Sequence, residues 1–207
     1  MSTYTWPTSG KAFYLAGITI AQRHNQRMST SELSGAIQTI SLPGMRWSAS
    51  LDFPKQTYAE RAELEGWFSR LSGMEHRAAL WDISRPVPRG TCNLSGVTAS
   101  AASQFATSIQ LNGLGASKTV LAGDWLKVTT ATGAQLLQVA ADATANGSGV
   151  ATVEVRAMLR GAVSGGAAVT LDKPTALYIL AQPQFAVPRG GAGICPPFSL
   201  ELIEVFA

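Results

Sequence analysis

The sequence predicts a mainly β protein, a β-sandwich with one packed α-helix into which a small β-barrel is inserted. The first reason is a change in composition. Residues 91–175 consist mostly of Ala, Gly, Ser, Thr and Val, whereas the flanking segments contain four of the five tryptophans. The second reason is that short apolar runs of period two occur in both parts, which is typical of half-buried strands. We therefore expect residues 1–90 and 176–207 to form the sandwich and residues 91–175 to form an OB-like or galectin-like barrel.

Length and composition limit the kinds of protein that this chain can be. Its 207 residues are enough for one large domain or two small ones, since domains usually have about 100 to 150 residues. Charged residues make up only 14% of the chain, against about 25% in a typical soluble domain. So little surface charge indicates a protein that partners cover in an assembly.

Charge and hydropathy argue against two classes of partner. The formal net charge is +3, but the Arg and Lys residues are scattered, whereas a nucleic-acid binder concentrates positive charge on one face to neutralise phosphates. The first residues lack a signal-peptide pattern, and no apolar run approaches the roughly 20 residues of a membrane-spanning helix. We therefore expect no nucleic-acid partner, no membrane insertion, and a soluble protein made in the cytoplasm.

Two cysteines, Cys92 and Cys195, lie near the two proposed domain junctions, and neither belongs to a CxxC pair. Free cysteine is among the most buried residue types. We therefore expect two buried free thiols. The sequence leaves open whether they lie close together.

The first flanking segment contains the clearest strand. Apolar and polar residues alternate strictly over residues 45–53, so Trp47 is predicted to face the core. Upstream, residues 22–33 are polar and have neither helical nor strand periodicity, and an apolar cluster at residues 37–42 follows them. We expect residues 22–33 to form an exposed loop or a hairpin arm. Further sandwich strands are predicted over residues 76–82, 176–181 and 198–206.

A capping box begins the predicted helix over residues 58–71. The Thr57 hydroxyl accepts a hydrogen bond from the Glu60 amide in such a box, while the Glu60 carboxylate accepts one from the Thr57 amide. An apolar stripe at helical spacing follows, and with Trp47 it gives the candidate structural core: Trp47, Leu64, Trp67, Phe68 and Leu71. Arg61 is predicted to face away from this stripe, and Gly73 to end the helix in a left-handed conformation.

The inserted segment alternates short β runs with turn signals. Strands are predicted over residues 108–114, 125–130, 135–140, 150–159 and 167–171. Asn-Gly, Gly-Asp, Thr-Gly and Gly-Gly pairs mark turns along the segment, and such pairs favour tight turns. About five strands at this spacing indicate a small barrel or sandwich.

A tetrapeptide, Val-Pro-Arg-Gly, occurs at residues 87–90 and again at residues 187–190, on either side of the insert. Proline followed by glycine suits the extended, turning segments where a chain leaves one domain and later returns. The repeat agrees with an insertion, and chance is its alternative explanation.

Few residues are suited to catalysis or metal binding. The histidines are His24 and His76, and no HxH or HExxH spacing is present; metal sites and nucleophilic catalysis usually need more. The acidic residues of the insert lie at or near turns and strands, where solvation or turn stabilisation accounts for them. We therefore predict that the protein is not an enzyme and has no catalytic residue, no metal site and no cofactor.

Several segments resemble one known family. In the insert, LAGDWLKV, QVAADATANGSGVATVEVRAMLR and AAVTLDKPTALYIL resemble the barrel inserted in distal tail proteins of long-tailed, non-contractile bacteriophages. In the flank, RWSASLDFP, YAERAELEGWFSRLSG and EHRAALWD resemble the β-sandwich domain of that family. Together the quoted segments contain 78 of the 207 residues, and they occur in the family's order.

The resemblance implies a structural virion protein of the tail tip, or baseplate, assembled in the host cytoplasm. It implies a homo-hexameric ring made by the sandwich domains, with the barrel pointing outward. Such a ring joins the tail tube protein to the tail hub or fibre proteins and the receptor-binding apparatus. A closed head-to-tail ring needs a heterologous interface, which edge strands or long hairpins provide, and residues 22–33 fit that need.

Two other functions remain as alternatives. The barrel-like pattern and the one tryptophan of the insert point to a carbohydrate-binding tail protein that contacts a host-surface glycan. Trp125 is then the candidate glycan contact, because sugar sites stack rings on exposed aromatic side chains. The other alternative is a tail-associated cell-wall hydrolase, which the shortage of histidines and paired carboxylates disfavours.

Overall fold

The computed structural model describes residues 1–191 and 193–206, and it confirms the mainly β fold class. In chain order, the strands and the helix of the described residues are β1 (Thr3–Thr5), β2 (Gly17–Thr30), β3 (Ile37–Phe53), β4 (Gln56–Thr57), α1 (Tyr58–Ser69), β5 (Arg77–Leu80), β6 (Thr98–Ala99), β7 (Ser108–Asn112), β8 (Thr119–Val120), β9 (Trp125–Thr130), β10 (Gly133–Val139), β11 (Ala143–Thr144), β12 (Ala151–Arg156), β13 (Ala167–Thr170), β14 (Ala176–Leu180), β15 (Ile194–Cys195) and β16 (Phe198–Glu204). One turn of 3-10 helix, Lys11–Phe13, precedes β2.

The chain divides into two compact units. Unit 1 consists of Met1–Ala21, Trp47–Arg85 and Thr175–Ala207, and unit 2 consists of Gln22–Arg46 and Pro86–Pro174. Unit 2 thus begins a few residues before the predicted insert and also includes the middle of the β2–β3 hairpin. Hydrogen bonds explain why residues 22–46 are grouped with the barrel.

Side-chain hydrogen bonds join residues 22–46 to the rest of unit 2. Gln22 Nε2 donates to Gln138 Oε1 at 3.3 Å, and Arg160 Nη2 donates to the carbonyl oxygen of Met45 at 3.2 Å. The sequence predicts this stretch as part of the sandwich, because long-range side-chain bonds leave no mark in local periodicity.

Unit 1 contains a six-stranded sheet in the order β1-β5-β14-β16-β3-β2. β1 and β5 are parallel, whereas the pairs β5–β14, β14–β16 and β16–β3 are antiparallel. β4 and β15 form a separate two-stranded sheet. Leu80 at the end of β5 is the register partner of Ala176 at the start of β14. The sheet therefore continues directly across the point where the chain leaves and re-enters it.

The second half of β3 packs one face into the core of unit 1. Trp47, Ala49, Leu51 and Phe53 are buried, and the intervening residues are only partly buried. This is the alternation that the sequence predicts for residues 45–53. The Trp47 amide donates to Glu204 Oε2 at 2.9 Å, so the buried Glu204 carboxylate accepts a backbone hydrogen bond inside the core.

Helix α1 begins with the predicted capping box. Glu60 N donates to Thr57 Oγ1 at 3.4 Å and Thr57 N donates to Glu60 Oε2 at 2.9 Å. These bonds with Thr57 lower the pKa of the exposed Glu60 carboxyl below its usual 4.5, because they favour the ionised form. The helix ends at Ser69, and Ser72 and Gly73 follow at φ 47° and 68°, so the left-handed stop occurs where predicted.

An aromatic cluster holds α1 in unit 1. The rings of Trp67 and Trp6 lie 5.0 Å apart at 73°, and those of Phe68 and Phe53 lie 6.3 Å apart at 84°. Edge-to-face pairs of this kind are favourable because the positive edge of one ring meets the negative face of the other. Phe68 therefore contacts a core strand of the sheet directly.

Arg61 differs from the sequence prediction, because it is buried rather than facing away. Its Nε donates to Gln56 Oε1 at 2.9 Å. Its Nη1 and Nη2 donate to the carbonyl oxygens of Pro188 and Pro196 at 3.0 and 2.8 Å. Helical periodicity alone places a charged residue outside, but the fork of guanidinium donors lets three acceptors satisfy it in the interior.

Unit 2 is built around a closed antiparallel barrel in the order β10-β12-β7-β6-β13-β9. β9 pairs with both β10 and β13, which closes the ring of strands. β12 shows why the strands form: its residues alternate strictly between buried and exposed. The five main strands lie where the sequence predicts them, whereas β6, β8 and β11 have two residues each and are too short for periodicity to reveal.

Asp124 binds the backbone near the start of the segment Pro86–Pro174 to the barrel. Its Oδ1 accepts from the Arg89 amide at 2.7 Å, and its Oδ2 accepts from the Gly90 and Leu121 amides at 3.2 and 2.8 Å. Three backbone donors satisfy a buried carboxylate well. Arg89 and Gly90 belong to the first Val-Pro-Arg-Gly copy, so these bonds attach the start of the second segment of unit 2, Pro86–Pro174, to the barrel.

Candidate interaction surface

The most exposed apolar side chains of unit 2 lie on a β-hairpin. We name residues 22–46, the distal halves of β2 and β3 with their turn, the hairpin arm. Its large apolar side chains with 41% to 101% exposure are Met28, Leu33, Ile37, Ile40 and Leu42. Scattered exposed apolar residues are ordinary, but this concentration on one element makes the hairpin arm a candidate interaction surface.

Hydrogen bonds, rather than apolar packing, maintain the hairpin arm. Gln26 Nε2 donates to Ser41 Oγ at 2.9 Å, and Asn25 Nδ2 donates to the Pro43 carbonyl oxygen at 3.1 Å. At the tip, the Ser31 amide donates to the Ala36 carbonyl oxygen at 2.9 Å. Because polar bonds give the arm its shape, its apolar side chains remain available to another molecule.

A pocket of about 130 Å³ lies in unit 2 at the base of the hairpin arm. The arm contributes residues 24–26 and 41–45 to its wall, and the barrel contributes Phe105, Thr107 and residues 155–160. Phe105 and Met158 are about half exposed there, at 48% and 45%. An apolar cavity of about 150 Å³ takes a benzene-sized molecule, so this pocket has room for one apolar side chain.

The barrel side of the pocket is fixed by a buried glutamine. Gln135 Nε2 donates to the Met158 carbonyl oxygen at 2.9 Å, and Gln135 Oε1 accepts from the Arg160 amide at 2.8 Å. The Phe105 amide donates to the Leu159 carbonyl oxygen at 2.8 Å. These bonds hold the backbone of Phe105 and Met158 in place, so the pocket is formed before anything binds.

The ionisable side chains of the pocket wall are basic. They are His24, Arg156 and Arg160, and no Asp or Glu lines this pocket. Arg156 forms an ion pair with Glu154 at 3.1 Å, with both side chains about half exposed, and such exposed pairs are weak. The pocket is therefore apolar with a basic rim.

The predicted core residues lie elsewhere, inside unit 1. All five are buried, with exposures between 0% and 7%: Trp47, Leu64, Trp67, Phe68 and Leu71. A role in the core is sufficient to explain why these positions are apolar, because buried aromatic and aliphatic side chains stabilise a fold by leaving water. They contribute no exposed surface for a partner.

Trp125, the candidate glycan contact, is buried in unit 2 with 4% exposure. It is the first residue of β9 and pairs with Gln138 of β10. A sugar ring stacks on an exposed aromatic face, so a side chain with this burial cannot serve as that contact. The prediction of Trp125 as the glycan contact is therefore wrong, because contacts made in the folded chain cover its ring although it lies outside the apolar core of unit 2.

Sequence reasoning missed the residues that make the surface. The cluster at residues 37–42 has the apolar character of a half-buried strand, yet Ile37 and Ile40 are 65% and 58% exposed. Phe105 and Met158 lie in segments without clear periodicity. The sequence contains one signal for this surface, namely the polar residues 22–33, which we expect to form an exposed loop or a hairpin arm. In the structure, residues up to Thr30 belong to the exposed part of β2.

The two cysteines are free and buried, as predicted. Cys92 belongs to the apolar core of unit 2. Burial raises the pKa of its thiol, and the nearby Asp124 carboxylate raises it further, because both disfavour a thiolate. Cys195 is fully buried in unit 1.

Among residues 1–191 and 193–206, no group of three or more His, Cys, Asp or Glu side chains is placed to hold a metal ion. In the same part of the chain, no helix has the length and apolar character needed to cross a membrane.

Comparison with known proteins gives no family assignment. No protein-family model matches this chain, and no curated protein sequence matches it. The likeness to distal tail proteins therefore rests on the segments quoted above.

Proposed function

We propose that this chain is a structural virion protein, a distal tail protein. Six copies form a ring that connects the bacteriophage tail tube to the tail-tip hub and the receptor-binding apparatus. Its partners are further copies of itself, the tail tube protein, and hub or fibre proteins at the tail tip. The proposal assigns it no catalytic role.

The observation that carries the proposal is the hairpin arm. An ordered hairpin with five exposed large apolar side chains is unfavourable in water, and it becomes favourable when a neighbouring molecule covers it. A long edge strand such as β2 is also a template for further contacts unless something covers it. Both features suit a protein that functions inside an assembly.

Composition and topology support the same function. The low charged fraction of 14% suits a surface that is largely covered in the virion. The direct pairing of Leu80 with Ala176 fits a domain that accepts an insert without breaking its sheet, which is the arrangement of the family that the sequence resembles.

The test measures the mass of the purified full chain, alone and mixed with the tail tube and hub proteins from the same phage. We expect a species of six times the 21.7 kDa chain mass, visible as rings by electron microscopy. The double variant Ile37→Asp/Ile40→Asp places two charges on the arm and should shift the population to monomer.

The matched control is Met74→Asp/Leu94→Asp, two exposed apolar residues outside the arm, at 40% and 44% exposure. It should assemble like the unaltered chain. A chain that stays monomeric both alone and beside the tube and hub proteins contradicts the proposal. If the control variant loses assembly as fully as the arm variant, the loss does not come from the hairpin arm in particular.

A further inference from the structure

We propose that the tip of the hairpin arm of one copy inserts Leu33 into the pocket at the base of the arm of a second copy. This inference rests on the proposed ring function and names the contact that builds the ring. Tip and pocket lie at different places on the same chain, so the contact is heterologous.

Leu33 is the strongest candidate for the inserted side chain. It has 101% exposure, the highest among the exposed large apolar residues of the described chain. It lies in the turn between β2 and β3, where hydrogen bonds hold the flanking backbone. Because these bonds already hold the backbone of the turn, little backbone freedom is lost on binding, and burial of the leucine removes apolar surface from water.

The pocket matches this side chain in size and chemistry. Its volume of about 130 Å³ is suited to one branched aliphatic group, and Phe105 and Met158 offer apolar surface at its rim. Methionine adapts its shape to an incoming apolar group because its side chain is unbranched and flexible. The Gln135 bonds keep the rim backbone fixed while Met158 adjusts.

Charge is complementary as well. Glu32, next to Leu33, is the one charged residue in the turn of residues 31–36. Among the described residues, the ionisable side chains of the pocket wall are His24, Arg160 and Arg156, the last of which also pairs with Glu154. Insertion of Leu33 brings a carboxylate towards a basic rim. Complementary charge fixes orientation and speeds encounter more than it adds affinity.

The pairing also explains how the contacts propagate. A patch that fits a pocket elsewhere on an identical molecule gives head-to-tail contacts, which close into a ring when the rotation between copies permits. Each copy then uses one tip and one pocket. A closed ring leaves neither unused.

The test is cysteine cross-linking between separately prepared full-length chains, one with Leu33→Cys and the other with Met158→Cys. Under an added mild oxidant, a disulfide forms only if the two Cα atoms come within about 7 Å. We expect a covalent dimer in the mixture and in neither preparation alone. The native thiols Cys92 and Cys195 are buried and should not interfere.

The matched control mixes Leu33→Cys with Met74→Cys, a methionine of similar exposure in unit 1, and should give no dimer. The double variant Leu33→Cys/Met158→Cys should give a ladder that ends at six copies. A cross-link within one chain, seen as a monomer of altered mobility, overturns the inference because it places the tip in its own pocket.

A second variant tests the contact without cross-linking. Leu33→Asp should weaken assembly about tenfold or more, since a buried leucine is replaced by a charge, and Leu33→Met should preserve it. Rings that form normally with Leu33→Asp and give no cross-link overturn this inference but leave the ring function standing. Absence of any oligomer overturns both, and a reciprocal cross-linked dimer supports the contact while contradicting the ring.

Discussion

The guanidinium of Arg61 stacks on the ring of Phe198, with 4.5 Å between its central carbon and the ring centroid. Arg61 lies on helix α1 and Phe198 begins strand β16, so the pair joins the helix to the last strand of the chain. The three hydrogen bonds of the same guanidinium reach Gln56, Pro188 and Pro196. One side chain thereby fixes the path by which the chain returns to the sheet.

Arg61→Met should destabilise unit 1 because it leaves the buried Gln56 Oε1 and two partly buried backbone carbonyl oxygens without their donor. A buried acceptor left unpaired costs about 1 to 3 kcal/mol, and water can reach the two partly buried carbonyls, so we expect a loss of about 1 to 3 kcal/mol in urea denaturation. Arg70→Met is the matched control. Arg70 also stacks on a ring, that of Tyr4 at 4.8 Å, but it is exposed. Equal losses in the two variants would contradict the role given to the buried bonds.

Trp67→Ala and Phe68→Ala should each destabilise unit 1, because each removes a large ring from the cluster that joins α1 to the sheet. Truncation of a buried aromatic costs about 3 to 5 kcal/mol, measured as the shift in the denaturation midpoint. Tyr14→Ala, with 75% exposure, is the control and should change little. A Trp67→Ala protein as stable as the unaltered chain would mean that the helix is held in some other way.

The glycines of the two Val-Pro-Arg-Gly copies should resist substitution. An added Cβ at Gly90 would collide with the Thr119 carbonyl oxygen, and one at Gly190 with the Ile194 carbonyl oxygen. Because backbone must move to relieve either collision, Gly90→Ala and Gly190→Ala should each cost about 1 to 3 kcal/mol.

Gly66→Ala is the control for these glycines and should act in the opposite direction. Gly66 lies within α1 with open space around the position of a Cβ. Alanine there should stabilise by roughly 0.5 to 1 kcal/mol, since glycine is a poor helix former. Thermal melts of the three variants show whether each one raises or lowers the stability. A Gly90→Ala variant with unchanged stability would contradict the close approach of Gly90 to the Thr119 carbonyl oxygen.

Glu60 should make the stability of unit 1 depend on pH in the acid range. Its folded pKa lies below the usual 4.5 because of its bonds with Thr57. The stabilisation is therefore present above pH 4.5 and is lost as the pH falls through the folded pKa. Glu60→Gln keeps an acceptor at every pH and should flatten this part of the profile.

Denaturation midpoints measured from about pH 7 down to about pH 3 test the Glu60 prediction. Glu63→Gln is the control, because Glu63 is exposed on the same helix outside the capping box. A Glu60→Gln profile as steep as that of the unaltered chain would show that the box contributes nothing to acid sensitivity.

Local signals predicted much of the fold because each depends on a few neighbouring residues. The alternation up to Phe53, the capping box of Thr57 and Glu60, and the main barrel strands all reappear in the structure. The change of composition marked the second unit for the same reason. A closed barrel of small residues needs no large aromatics to fill its interior.

Long-range contacts were beyond the reach of periodicity. Arg61 is buried because carbonyl oxygens of Pro188 and Pro196, distant in sequence, converge on its guanidinium. Trp125 is only 4% exposed, yet it is not part of the apolar core of unit 2, to which its β9 neighbours Leu126 and Val128 belong. A local pattern identifies which residues are expected to face water. The contacts that bury such a residue come from segments distant in the chain, and a local pattern does not contain them.

The sequence by itself determined the fold class, the helix with its cap, the main strands and the scarcity of catalytic groups, since these follow from residue type and spacing. Only the tertiary structure decided that residues 22–46 form an exposed apolar arm and that Phe105 and Met158 border a basic-rimmed pocket at its base. The physical reason is that exposure depends on what the rest of the chain covers. Leu33 has the same hydrophobicity as Leu64, and folding alone leaves one in water and the other in the core.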